Sequence, residues 1–215
     1  MGLFLAASAF RNRSAADVAD TIRAYASKFG SAAEPCGPSD PETPEDVHVY
    51  APAQGWTVVR WPAFFNVHDV PFCLDGSHNL RTLVSTVHIY DGDYWAHFLM
   101  ENGALLDRFA SWPDYFDPEL PDAARAQWKG NPELIASKAG CDPTAIRPYL
   151  VHPDPEDPPP GKAAEDDAFE LADVRVFADL WRRMGIRWDT AAASALRMQL
   201  DRKYGTHLPV SKEEL

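Results

Sequence analysis

Residues Tyr94–Phe116 read YWAHFLMENGALLDRFASWPDYF. Two runs of β-type residues, 94–100 and 104–110, flank Asn102-Gly103. That dipeptide favours a tight hairpin because both positions accept a positive φ. Just upstream, Asp91-Gly92 follows STVHIY and marks a second turn. Three strands, 84–90, 94–100 and 104–110, are therefore expected as an up-and-down meander. The rest of the fold is built outward from it.

Register decides what this hairpin can do, since a slip of one residue changes every partner. A three-residue loop, Glu101-Asn102-Gly103, sets His97 opposite Asp107, Leu99 opposite Leu105 and Trp95 opposite Phe109. A two-residue loop at Asn102-Gly103 sets Arg108 opposite His97 instead. Across the other turn, a two-residue loop pairs His88 with Trp95 and Thr86 with His97. The first register gathers Thr86, His88, Trp95, His97 and Asp107 on one face. Asp107 would then orient the His97 imidazole as a general base, with His88 alongside. The plainer account is a cross-strand polar pair on a covered sheet. No GxSxG occurs, and Ser85 and Ser111 are only sequence neighbours.

Upstream, residues 2–10 are short and apolar, as a central strand requires. Ser14 with Asp17 three residues on resembles a capping box. Val18, Ile22, Tyr25 and Phe29 then share a helical face, and Gly30 supplies the stop. Residues 31–46 are Pro-rich and acidic and read as a loop. VHVYA and WTVVRWP read as strands. Residues 63–76 read as irregular, followed by a short helix, SHNLRTLVS, capped by Ser77. The order β-α-β-β-α-β plus two meander strands predicts an α+β fold over residues 1–118. Its simplest form is a two-layer sandwich with a mainly antiparallel sheet, a ferredoxin-like variant.

From residue 119 to 215 the pattern is helical. PDAARAQWKG and NPELIASKAG end in glycine, and Asp142-Pro143 opens CDPTAIRPYL. A Pro-rich acidic linker spans 151–166. A longer helix is expected over DAFELADVRVFADLWRRMG, with Phe169, Val176, Leu180 and Trp181 inward, and a last helix over TAAASALRMQLDRKYG. The pattern leaves open whether this region packs on residues 1–118.

Composition narrows the function. The chain of 215 residues has a formal net charge of −12. Residues 1–118 carry 7 Lys/Arg against 15 Asp/Glu, and residues 119–215 carry 13 against 17. Neither half offers the basic stripe that phosphate neutralisation needs, so nucleic acid is not an expected partner. Three scattered cysteines, Cys36, Cys73 and Cys141, suit a reducing, cytoplasmic setting. The opening MGLFLAASAFRNR lacks a basic lead-in and reads as a strand, not a leader. No apolar stretch approaches the length of a membrane span.

His68, Asp69, Cys73, Asp75 and His78 crowd one segment, but their spacing fits no zinc pattern. Asp91 and Asp93 belong to a turn and not to a calcium loop. Glycine-rich phosphate loops are missing. No cofactor and no metal are expected. Trp112, Tyr115 and Phe116 either anchor a partner or plug the strand edge, and aromatics after a strand usually bury.

The leading expectation is a non-enzymatic binding protein for another macromolecule, cationic by charge complementarity, a basic toxin or nuclease being one version. Two alternatives stand beside it. One is an enzyme, in the hydrolase manner, using His97, Asp107 and His88. The other is a small-ligand module with an aromatic pocket of Trp95, Phe109 and Trp112. Trp95, Phe109, Trp112 and Tyr115 are the candidate ligand or partner residues. Oligomeric state is not legible.

Overall fold

The computed structural model describes residues 2–37, 43, 45–152, 161–189 and 193–201. Along the chain come β1 (Leu5–Arg11), α1 (Ala15–Lys28), β2 (Ala33–Pro35), β3 (Asp46–Val49), β4 (Trp56–Trp61), α2 (Asp69–Leu80), β5 (Leu83–Tyr90), β6 (Tyr94–Glu101) and β7 (Ala104–Ala110). Then follow α3 (Asp122–Arg125), α4 (Pro132–Ala139), α5 (Pro143–Ile146), α6 (Phe177–Arg183) and β8 (Leu196–Leu200). The strands form one eight-stranded sheet in the order β2-β8-β3-β4-β1-β5-β6-β7, and every pairing is antiparallel. The architecture is α+β.

β1 runs through the middle, and its alternation sorts the core into two layers. Ala6 and Phe10 face α1 and α2, packing with Val18, Ile22, Tyr25, Phe72, Val84, Phe98 and Met100. Ala7 and Ala9 face the other way, towards Val87, Ile89, Trp95, Leu99 and Phe109. That second face is covered by Ile135, Ile146, Tyr149, Phe177, Leu180 and Trp181 from α4 to α6. The expected two layers are thus three, because both sheet faces are apolar and each needs a cover.

α1 forms as its sequence dictates. The Ser14 hydroxyl accepts from the Asp17 amide, and the Asp17 carboxylate accepts from the Ser14 amide. α2 corrects the expectation of an irregular 63–76. It starts at Asp69, with Pro71 in the first turn, where a missing N–H costs nothing. Gly76 lies inside it, where a Cβ would meet the Phe10 and Phe72 rings at 3.4 and 3.7 Å.

Two expected helices also change. Over 167–185 a 3-10 turn at Val174–Val176 leads into the short α6. The Asp179 carboxylate takes the amides of Ala168 and Phe169, which a continuous helix would hold roughly 15 Å away from it. Over 190–205 the described part is β8, a strand, with Met198 and Leu200 buried beside exposed Leu196 and Gln199. Residues 190–192 and 202–205 of that expected helix lie outside the described residues. So does most of the expected linker, 153–160. Within the expected loop 31–46, residues 33–35 form β2.

Candidate functional site

The meander is present, but its register is none of those expected. Asn102 and Gly103, at φ 54° and 83°, make a two-residue turn, and Glu101 pairs with Ala104. A bulge then places the extra residue Leu106 in β7, so Leu99 faces Asp107 and His97 faces Phe109. At the other turn Tyr90 pairs with Tyr94 across a three-residue loop, so His97 faces Val87 and His88 faces Ala96. His88 and His97 therefore point to opposite sides of the sheet.

His97 shares the α4–α6 side with Asp107 but pairs elsewhere. Its Nε2 lies 2.9 Å from Ser85 Oγ, which accepts the Trp181 indole N–H at 3.0 Å. His97 is 0% exposed, and burial alone pulls its imidazole down to about 4. Its Nδ1 has no partner among the described residues. Asp107 is half-buried, and burial raises its carboxyl to about 6 against the pull of the Asn131 amide. The expected His97–Asp107 orientation is absent, and the imidazole is enclosed among the described residues.

His88 lies on the α1–α2 side, also 0% exposed, in a second polar cluster. Its Nδ1 is 3.4 Å from Asp69 Oδ1, and Thr86 Oγ1 lies 2.5 Å from Asp69 Oδ2. Ser8 joins Thr86 at 2.8 Å and receives the Trp61 indole N–H at 2.8 Å and the Cys73 thiol at 3.1 Å. The sequence reading missed this set, because Ser8, Asp69 and Thr86 meet only through the β1–β5 pairing and the placement of α2. Its hydroxyls and thiol, on Ser8, Thr86 and Cys73, are all fully buried. Burial and the nearby Asp69 charge push the Cys73 thiol far up, so it stays protonated. Of the metal-capable residues at 68–78, only Asp69 and Cys73 enter this cluster, and no group of three metal-capable side chains converges among the described residues.

The aromatic candidates divide. Trp95 and Phe109 pack on each other in the core, ring centres 4.8 Å apart. Tyr115 is partly buried against Tyr94 and Tyr90. Trp112 and Phe116 stand 42% and 37% exposed, and Leu3, 41% exposed, lies against the Gly92 turn. Phe116 contacts Tyr90 and Tyr94 at 5.1 and 5.3 Å, and Trp112 contacts Tyr115 at 5.4 Å. Desolvation, followed by the nearby Asp93 and Asp91 charges, raises the Tyr115 hydroxyl, which places both carboxylates at this cluster. Asp91 and Asp93 are exposed and make no ion pair among the described residues. Asn66 stitches the same end of the sheet, donating to Leu5 O at 2.8 Å and Ile89 O at 2.7 Å. The platform beneath the patch is thus fixed.

A separate groove of about 780 Å³ runs beside α6, with Phe169, Ile186 and Trp188 among its walls. Its acids, Asp166 and Asp179, already serve Arg182.

The fold and sites define an antiparallel α+β protein whose His88 and His97 are enclosed in the core and whose open chemistry lies at the sheet's ends. No protein family, curated protein or solved structure gives a significant match to this chain. No helix among the described residues is long and apolar enough to cross a membrane.

Proposed function

We propose that this chain is a binding protein that receives a basic protein on the acidic, aromatic end of its sheet. The observation that carries the reading is the exposed pair Trp112 and Phe116, packed around Tyr115, beside the exposed carboxylates of Asp91 and Asp93, which make no ion pair among the described residues. Exposed aromatics of this kind supply the anchoring energy of interfaces. The carboxylates, within a net charge of −12, supply attraction and orientation towards a cation. A basic toxin or nuclease belongs to that partner class. The cysteines form no disulfide among the described residues, which suits a reducing, cytoplasmic setting.

An arginine-rich peptide titrated calorimetrically at low and moderate salt tests the reading. We expect affinity to fall with ionic strength. It should also fall by about tenfold in Trp112→Ala/Phe116→Ala, as loss of an interface anchor implies. Asp91→Lys/Asp93→Lys should weaken it further. Equal affinity in the aromatic double variant would show only diffuse attraction to an acidic surface and end the proposal.

A further inference from the structure

The opposite end of the same sheet has the opposite chemistry. A cleft of about 400 Å³ opens where β1 ends and β5 begins, and Arg11, Arg13, Arg81 and Lys138 border it with one carboxylate, Glu101. Residues 1–118 contain only 7 Lys/Arg, and three of them meet here. In a chain of net charge −12, such a concentration needs a reason.

Part of the reason is structural. The Arg13 guanidinium is spent on carbonyls, those of Leu80 and Arg81 at the end of α2 and that of Asn12. Arg11 gives Nη1 to the Lys138 carbonyl at the end of α4, and its guanidinium lies over the Trp56 ring. Lys138 Nζ meets Glu101 at 2.5 Å. These contacts fix three positive charges in place before any ligand arrives, which lowers the ordering cost of binding.

Arg81 is different. It is exposed and makes no ion pair or side-chain hydrogen bond among the described residues, so all five donors of its fork are available. It also occupies the residue after α2 in the left-handed conformation, φ 48°, where glycine would sit without strain. A second cleft, of about 420 Å³ and bordered by His78, Asn79 and Asn102, shares Arg81 as its wall. The residue that local backbone energetics would replace by glycine is the one whose side chain reaches both clefts.

We infer that this end of the sheet is a binding site for the phosphate group of a small anionic ligand, with Arg81 as the bidentate donor and Arg11 and Lys138 as the fixed charges around it. A planar fork matches two oxygens of a phosphate, which a point charge does not. The site is independent of the aromatic end, because the two lie at opposite ends of the same strands.

Arg81→Gly is the informative variant, since it relieves the left-handed strain while removing the donor. Inorganic phosphate, pyrophosphate and adenosine diphosphate are titrated separately into the full chain at low salt. We expect saturable binding of at least one of them, weakened about tenfold or more in Arg81→Gly, while urea denaturation shows that variant to be as stable as the parent or more so. Arg81→Lys should recover part of the affinity. Pyrophosphate equal to adenosine diphosphate would assign the site to the phosphate alone, and tighter nucleotide binding would add the base. No saturable binding of any of the three, or equal affinity in Arg81→Gly, overturns the inference. Trp112→Ala/Phe116→Ala is expected to bind these anions as the parent does, so failure here and failure of the protein-binding reading are read out separately.

Discussion

Arg11, the last residue of β1, and Arg13, two positions beyond, hold the C-termini of helices on opposite faces of the sheet. Arg11 reaches the Lys138 carbonyl of α4, and Arg13 reaches the Leu80 and Arg81 carbonyls at the end of α2. Helix C-termini carry unsatisfied carbonyls and partial negative charge, so a cation there is doubly favourable. The last residue of the central strand and the residue two beyond it thereby fix both covering layers.

Arg13→Ala removes charge-assisted hydrogen bonds from a part-buried helix end, and a loss of about 1–3 kcal/mol is expected. Arg13→Lys should restore less than half of it, because an ammonium cannot serve two carbonyls with a planar fork. Urea denaturation checks both. A loss in Arg13→Ala below about 0.5 kcal/mol, the range of an ordinary surface change, would remove the structural role.

His97 and Asp107 give opposed pH dependences. The buried imidazole titrates near 4 in the fold against 6.5 in the unfolded chain. The unfolded chain therefore takes up a proton that the fold refuses, and stability falls as pH drops from 6.5 towards 4. Asp107 titrates near 6 in the fold against 3.8 when unfolded. Here the fold binds the proton first, so the burial cost present at pH 7 fades as pH drops through 6 towards 4. The two slopes offset each other in the wild type. Asp107→Asn removes one of them. The variant should be more stable than the parent at pH 7 by roughly 1–3 kcal/mol, lose stability more steeply between pH 6 and 4, and match the parent below pH 4. Urea midpoints at pH 7, 5 and 4 give the comparison. A variant that is less stable at pH 7 would contradict the burial cost.

The layer over the second sheet face is closed by Asp167. Its carboxylate accepts from the Tyr149 hydroxyl at 2.8 Å, the Ala164 amide at 2.9 Å, and Arg182 and Arg183 at 2.8 and 2.7 Å. Burial pushes the carboxyl up, but Tyr149, Arg183 and the Ala164 amide together outweigh it and hold it below the usual range. Its stabilisation is present above the ordinary carboxylate pKa and is lost as pH falls below it. Asp167→Asn should cost about 2–4 kcal/mol, since both arginines lose a buried acceptor. Trp181 and Trp188 lie in the layer this residue ties down, so their fluorescence should report the loosening. Unchanged emission and stability would show the network to be redundant.

Strand positions in the meander were legible because alternation and turn dipeptides are local. Register was not, because it depends on single residues. The Asp91-Gly92 signal names the turn but not that Asp93 joins it, and that one residue sends His88 and His97 to opposite faces. Leu106 carries no mark of a bulge, yet together with the two-residue turn it moves Phe109 into the place expected for Asp107. α1 was legible to its cap, since Ser14 and Asp17 act within four residues. The Asp69–His88 cluster was not, because it forms only once α2 lies across β1 and β5. The exposed Trp112 and Phe116 went against the expectation that aromatics after a strand bury. Composition cannot foresee how far Tyr90 and Tyr94 already fill the space beneath them.

The last strand tests how far tertiary context overrides local preference. Residues 190–205 have the alanine-rich look of a helix, but Leu196, Met198 and Leu200 alternate with Arg197 and Gln199. Between β2 and β3 that alternation meets two strands whose backbone groups need partners, and β8 supplies them on both sides. Met198 is buried against the α1 layer and pairs with Val47 and Pro35. Met198→Ala should therefore cost about 2–5 kcal/mol, the range for emptying a buried methionine site, whereas Gln199→Ala, on the exposed side, should change stability by less than about 0.5 kcal/mol. A helix in this place would bury a 3.6-residue pattern instead, and the two substitutions would not split so sharply. Equal effects at 198 and 199 in urea denaturation would mean that β8 does not hold the sheet in solution.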